Sequence, residues 1–137
     1  MLGVEINWLA IPVAALASVF VGWLWYAPFA FGNLWMRGGG KSMEQVQADF
    51  HPGMIGGAFL VACVTALFLS AFIGWIKTGG WFAGAYVGFY AGIGFVATSF
   101  AVNDIFEKRT PTLWLINGTH HVFVLTAMGA VIGAMGR

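Results

Sequence analysis

The chain has 137 residues, of which 60% are hydrophobic and only 8% are charged, and its formal net charge is +1. A soluble domain carries about a quarter charged residues, so this composition excludes an ordinary water-soluble fold and predicts a protein embedded in a lipid bilayer. With so small a net charge we expect no nucleic-acid partner. The single cysteine, Cys63, excludes an intramolecular disulfide and a cysteine-based zinc cluster.

Four long apolar runs predict four transmembrane helices. They cover residues 6–27, 54–76, 81–102 and 113–135. Each run has about 22 residues, enough to cross a hydrocarbon core of about 30 Å as a helix. The alternation of apolar and polar residues that is typical of a membrane strand is missing. We therefore expect a single transmembrane domain, residues 1–137, with the fold of an all-α integral membrane four-helix bundle.

The start of the chain and the first connection carry two local signals. No Lys or Arg precedes the first run, and Glu5 stands just before it, so we expect this run to be a retained helix rather than a cleavable signal peptide. In the connection that follows, Ser42 and Gln45 have the spacing of a capping box. They predict one short interfacial helix at about residues 43–50, lying on the membrane surface.

The orientation follows from the basic residues and the aromatic belts. Aromatic residues near the ends of the runs, Trp25 and Tyr26 among them, are typical of the membrane interface. An excess of Lys and Arg marks the cytoplasmic side, which places the first and third connections in the cytoplasm and both termini in the periplasm. Those two connections hold Arg37, Lys41, Lys108 and Arg109, whereas the opposite side holds Lys77 and Arg137.

Small residues recur at every fourth position in two of the predicted helices. The second helix has Ala58, Ala62, Ala66, Ser70 and Gly74, and the third has Gly80, Gly84, Gly88 and Gly92, a glycine zipper. Because lipid offers no hydrophobic force to join helices, such stripes are typical of close helix packing in membranes. We expect the second and third helices to pack on each other through them. The remaining small residues either form an oligomer face or are used within the monomer.

Polar residues inside the apolar runs are the candidates for function. Asn117 and His121 are four residues apart and share a helix face, whereas His120 points about 100° away. Side chains of the third helix reach a similar depth and would complete a small polar pocket. The candidate residues are Asn117, His121, His120, Thr98 and Ser99, with Asp104 at the mouth.

The chemistry of such a pocket is left open by the residues. A histidine there could shuttle a proton, ligate haem or a metal through His121 or His120, or bind a small polar ligand or a lipid headgroup. It could also only hydrogen-bond between helices, which stabilises a membrane protein by about 0.6 kcal/mol. No nucleotide, hydrolase or metalloprotease motif is present, so we predict no catalytic residue, no metal site, no cofactor and no enzyme.

Four motifs give the chain a family resemblance. They are NWLAI at 7–11, GWLWY at 22–26, FGNLWM at 31–36 and LWLIN at 113–117. In these motifs the chain resembles a family of small bacterial membrane proteins that is catalogued as a domain of unknown function, number seventeen sixty-one. The resemblance implies four spans in the bacterial inner membrane. It implies no activity, so no functional residue is carried over.

Three functions from different classes are consistent with these features. The leading interpretation is a non-enzymatic membrane subunit, homo-oligomeric or accessory to a larger membrane complex and packed through its small-residue stripes. The alternative is a small-solute or proton-coupled transporter or channel that uses the pocket around His121. The third is a haem- or metal-binding membrane protein.

Overall fold

The structure is a computed structural model that describes residues 3–136, so Arg137 lies outside it. Over these residues it is all-helical, without a strand, which confirms the all-α class. Six helices follow one another within the described range. They are α1 (Ala10–Trp25), α2 (Gly32–Gly38), α3 (Met43–Asp49), α4 (Pro52–Trp75), α5 (Trp81–Phe106) and α6 (Pro111–Met135).

Three of these helices are long and apolar enough to cross a membrane. They are α4, α5 and α6, with 24, 26 and 25 residues. The first predicted span is helical over only 16 residues. Its helix begins at Ala10 because the side-chain oxygen of Asn7 accepts hydrogen bonds from the backbone N–H groups of Leu9 and Ala10, at 3.1 and 3.4 Å. Such a local bond holds the preceding residues in a turn and delays the helix.

The first connection contains one predicted helix and one that was not predicted. The short helix expected near residues 43–50 is observed as α3, and both bonds of its capping box are present. The Ser42 hydroxyl accepts from the backbone N–H of Gln45 at 3.2 Å, and the Ser42 N–H donates to the Gln45 side chain at 2.8 Å. The helix α2 lies in a segment that has three glycines at its end, Gly38 to Gly40, and no capping pattern, so it was not predicted from the sequence.

The helix α6 is the centre of the molecule and contacts α1, α4 and α5. Within the most apolar window of each helix, 44% of residues are buried in α6 but only 17% in α5. The helices α5 and α6 run antiparallel and touch along their length. At one end the Gly80 N–H donates to the Gly133 carbonyl at 3.1 Å, and at the other the Trp114 indole N–H donates to the Ala97 carbonyl at 3.0 Å.

The glycine stripe of α5 packs on α6, so the prediction that it packs on α4 is wrong. A Cβ added to Gly84 would overlap the carbonyl oxygen of Gly129, and a Cβ on Gly92 would lie 2.8 Å from the Cα of Val122. The physical reason is that a glycine face lets the backbone of the partner approach closely, and α6 also has glycines opposite Gly80 and Gly84. A face of alanines keeps the two backbones further apart.

The small-residue stripe of α4 packs mainly on α1 instead. Ala66 of α4 and Ala10 and Ala14 of α1 have no exposed surface and belong to one core cluster. Gly74 of α4 packs against Val4, which precedes α1. Ala58, at the other end of the stripe, is exposed. The predicted stripe is therefore a helix contact over part of its length only.

A π-helical turn interrupts α5 at Gly92–Ala97, which the sequence pattern did not predict. A π turn is wider than an α turn and shifts the hydrogen-bond register by one residue. The bond from Trp114 to the Ala97 carbonyl lies at the end of this turn. It ties the irregular segment of α5 to α6.

Candidate functional site

The helices α1 and α4 touch at one end and leave a cleft at the other. At the closed end, Ala10 and Ala14 of α1 and Ala66 of α4 are fully buried. At the open end, Leu16 of α1 is 60% exposed and Val61 of α4 is 68% exposed. Both of these residues line a cleft of about 1040 Å³, whose inner wall is formed by α6 with a contribution from α5.

The lining of the cleft is mostly apolar, and its few polar side chains are unevenly placed. The hydroxyl of Thr65 in α4 hydrogen-bonds within its own helix, because it donates to the Val61 carbonyl one turn earlier at 3.2 Å. Ser18 lies on α1. The two ring systems of His120 and His121 lie together on the α6 wall. The histidines are therefore the main polar group that a molecule in the cleft would meet.

The two histidines are in direct contact, which corrects the prediction that they serve different faces. Their Nδ1 atoms are 3.3 Å apart, and their rings are nearly perpendicular at 86° with centroids 4.7 Å apart. Adjacent residues do start about 100° apart on a helix. However, α1 and α4 diverge here, so one wide face of α6 borders the cleft and both side chains reach it.

The backbone of Asn117 orients the ring of His121. The Nδ1 atom of His121 lies 2.9 Å from the Asn117 carbonyl oxygen, one turn earlier in α6. A carbonyl oxygen can only accept a hydrogen bond, so Nδ1 of His121 carries the proton in this contact. The prediction that Asn117 helps to hold the ring therefore applies to its main chain. Its side chain makes a different bond.

The ring of His120 is packed against the end of α1. Its centroid lies 4.9 Å from that of Tyr26 and 6.2 Å from that of Trp25. Its Nε2 atom is buried and has no hydrogen-bond partner among residues 3–136. The neighbour on that side is Gly22, where an added Cβ would lie 3.4 Å from Nε2. A glycine here leaves room for the imidazole between α1 and α6.

Two aromatic side chains fasten the end of α1 to α6 beside this ring. The Tyr26 hydroxyl donates to the side-chain oxygen of Asn117 at 2.7 Å, and the Trp25 indole N–H donates to the Ile116 carbonyl at 3.0 Å. Buried aromatic residues with a polar tip are expected to find such partners. The helix α1 is thus held firmly next to His120, while α4 is not.

A known protein family matches most of the chain, including the residues of the cleft that lie between α1 and α6. The family described as "Protein of unknown function (DUF1761)" matches residues 9–133. The chain belongs to this family. No curated protein matches the chain, and no solved structure matches it.

Two of the four motifs that carry the family resemblance meet at the histidine pair. Gly22, Trp25 and Tyr26 come from the motif at 22–26, and Asn117 closes the motif at 113–117. Sequence reasoning assigned Trp25 and Tyr26 to an interfacial belt and did not connect them to His120. The signal in the sequence was that Trp occurs with Tyr near the end of one helix and with Asn near the start of another. The Trp and Tyr residues are equally typical of an aromatic belt at the membrane interface.

The helix α5, which is the third predicted span, does not supply the polar side chains that were predicted for this site. Thr98 donates to the Gly94 carbonyl at 2.9 Å, and Ser99 donates to the Phe95 carbonyl at 2.5 Å. Both residues are exposed, and their hydroxyls are bound to their own helix. Hydroxyl residues in apolar helices commonly make this bond because lipid offers no other partner. The side chain that α5 does place on His121 is Phe100, at a centroid distance of 4.7 Å.

Asp104 is also separate from the histidines, so the predicted mouth of the pocket is wrong. It is buried near the end of α5, and one carboxylate oxygen lies 3.9 Å from Nε of Arg109. Its other oxygen has no hydrogen-bond partner among the described residues. Arg109 bonds more closely to Glu107, at 2.5 Å. These charges belong to the turn between α5 and α6, and they do not line the cleft.

Proposed function

We propose that this chain is a multi-pass membrane protein that binds an apolar or amphipathic molecule from the bilayer in the cleft between α1 and α4. The observation that carries the proposal is the combination of a cleft of about 1040 Å³ with two contacting imidazoles on its inner wall. Sites for small molecules are typically apolar cavities of about 300–1,000 Å³ that contain a few placed polar groups. We propose a binding role without catalysis.

The proposal includes a fourth membrane crossing by α1. The side-chain amide of Asn7 donates to the Met135 carbonyl at 3.3 Å, and Trp25 donates to the Ile116 carbonyl at 3.0 Å. These two bonds lie near opposite ends of α6, so α1 and the residues before it run along almost the whole of a membrane-length helix. A bundle of four crossing helices accounts for both contacts.

We also propose that the protein lies in a bacterial inner membrane with both termini in the periplasm. The support is the set of basic residues in the first and third connections, which are Arg37, Lys41, Lys108 and Arg109. A Gly40→Cys variant in a Cys63→Ala background tests this orientation. We expect the thiol to react with a membrane-impermeant reagent only after the cells are opened, and labelling of intact spheroplasts would contradict the orientation.

The contacts between helices favour binding over assembly through the small-residue stripes. The glycines of α5 are occupied by α6, and Ala66 of the α4 stripe is buried in the core cluster that includes α1. These stripes therefore do not call for an oligomeric partner. The closed end of the α1–α4 contact also blocks a continuous path, since Ala14 and Ala66 have no exposed surface. Transport of a solute would require these two helices to separate, whereas binding from the lipid side would not.

Native mass spectrometry of the detergent-solubilised protein tests the proposal with hexadecanol as the probe. We expect a saturable one-to-one complex that survives the activation needed to strip detergent. The variant Ala58→Leu adds bulk inside the cleft and should weaken this complex. Ala134→Leu, at an exposed position of α6 outside the cleft, is the matched control and should bind normally. No one-to-one complex, or equal binding by the two variants, would contradict a ligand site in the cleft.

A further inference from the structure

We infer that the molecule bound in the cleft carries a hydroxyl group, and that this group donates a hydrogen bond to Nε2 of His121. The ligand class is a long-chain or otherwise apolar alcohol. The inference rests on the proposed function of the cleft, and it adds which chemical group the cleft selects. It follows from the placement of protons on the histidine pair.

The imidazole of His121 carries its proton on Nδ1. Its Nδ1 atom faces the Asn117 carbonyl oxygen at 2.9 Å, and a carbonyl has no hydrogen to donate. The proton of the neutral imidazole is therefore on Nδ1. The other ring nitrogen, Nε2, then has a free lone pair and is a hydrogen-bond acceptor.

No described residue donates a hydrogen bond to the lone pair on Nε2 of His121. Among residues 3–136, the hydrogen bonds of the His121 ring all involve Nδ1. The ring lies on the wall of the cleft, beside Phe100, which offers no donor. Nε2 of His121 is not among the buried side-chain atoms that lack a partner, so a donor in the cleft can reach it, and such a hydrogen bond is worth about 0.5–1.5 kcal/mol net.

The imidazole of His120 carries its proton on the other ring nitrogen, Nε2. Its Nδ1 atom lies 3.3 Å from the protonated Nδ1 of His121, so it can only accept in that contact. The proton of neutral His120 is then on Nε2, which is buried without a partner. This donor is buried beside Gly22, so the ring nitrogen of the pair that offers a lone pair to a molecule in the cleft is Nε2 of His121.

A hydroxyl group supplies the donor that Nε2 of His121 can accept, whereas an ether, a ketone or an anion does not. It donates through its hydrogen and accepts through its oxygen. An ether or a ketone can only accept, so it would leave Nε2 of His121 unpaired. An anionic headgroup also lacks a donor, and the lining of the cleft contains no Lys or Arg to balance its charge. The simplest neutral group that supplies this donor on an apolar molecule is a hydroxyl.

Hexadecanol and hexadecyl methyl ether test the inference because they share the apolar chain and differ in the donor. For the unaltered protein we expect the alcohol to bind about tenfold more tightly than the ether, the effect of one net hydrogen bond in an apolar site. The variant His121→Phe should retain ether binding and lose the preference. Equal binding of both probes by the unaltered protein would overturn the hydroxyl inference and leave the cleft proposal standing.

A second measurement covers the case in which His121→Phe does not fold. Nitrogen NMR of the unaltered protein with labelled histidine distinguishes protonated from unprotonated ring nitrogens. We expect the unprotonated Nε2 of His121 to shift when hexadecanol is added and to stay unchanged with the ether. A protonated Nε2 on His121, or the same shift with both probes, would contradict the inference. Failure of both probes to bind at all would instead remove the proposed function itself.

Discussion

The α5–α6 contact and the α1–α4 contact differ in whether the helix backbones touch along the whole contact. The α5 stripe meets the backbone of α6 throughout, at Gly129 beside Gly84, at Leu125 beside Gly88 and at Val122 beside Gly92, and the contact runs from Gly80 to the Ala97 carbonyl. Between α1 and α4, alanines pack tightly at one end only. Beyond Ala62 the two helices separate and a cleft of about 1040 Å³ begins.

A stripe of small residues at regular spacing does not by itself specify a continuous contact. The α4 stripe keeps its spacing from Ala58 to Gly74, yet Ala58 lines the cleft while Ala66 is fully buried. The open end is bordered by large side chains such as Phe20 and Met54. The helix α1 also has small residues at the open end, Ser18 and Gly22, which line the cleft, so small size on both helices does not close the contact there.

The largest expected effect comes from a side chain placed in the α5–α6 contact. Gly84→Leu should prevent folding or cost more than about 4 kcal/mol, because any Cβ there would overlap the Gly129 carbonyl. Thermal unfolding and size-exclusion chromatography in detergent measure this. The control is Gly94→Leu on the same helix, where an added Cβ meets nothing within 4 Å. Similar stability of the two variants would show that the close contact does not hold the fold.

An intermediate effect is expected when the two ends of the α1–α4 contact are filled by the same substitution. Ala66→Leu should lower the free energy of unfolding by about 1–3 kcal/mol, since it overpacks a fully buried position. Ala58→Leu should leave stability within about 0.5 kcal/mol of the unaltered protein, because its side chain enters the cleft. Thermal unfolding in one detergent compares the pair. An equal loss of unfolding free energy in the two variants would mean that α1 and α4 are packed together at both ends and that the cleft is closed.

The smallest expected effect concerns the hydrogen bond at the π turn. Trp114→Phe removes the donor to the Ala97 carbonyl and should destabilise the protein by about 0.6 kcal/mol, the average for such bonds in membranes. Hydrogen exchange of the amides in residues 92–98 should rise at the same time. Trp81→Phe, at an exposed position on the same hairpin, should change neither quantity. If the exchange rates stay unchanged in Trp114→Phe, the bond does not hold the π turn.

Local signals in the chain predicted a large part of the fold. Apolar runs located α4, α5 and α6, and the Ser42 and Gln45 spacing located α3 to within one residue at its end. These features depend on interactions between near neighbours in the chain. The start of α1 and the π turn of α5 were missed. Two hydrogen bonds to the Asn7 side chain precede the start of α1, and the π turn lies where Trp114 of another helix bonds to the Ala97 carbonyl.

The candidate site was predicted less well than the fold. Intramembrane polarity pointed to His120, His121 and Asn117, and these residues do lie together. The same reasoning added Thr98 and Asp104, which the structure places elsewhere. Depth along a helix can be counted from the sequence. Whether a hydroxyl bonds to its own helix or to a neighbour cannot, because that depends on which helix lies beside it.

By itself the sequence determined that this chain is helical, apolar and held together by close contacts between small residues. Composition and run length decide these properties because they depend on the solvent and on the backbone alone. Only the tertiary structure decided which small-residue faces meet, that α1 and α4 diverge, and that His120 and His121 share one cleft. The reason is geometric: which helix lies beside each face depends on contacts across the whole molecule, which no single segment contains.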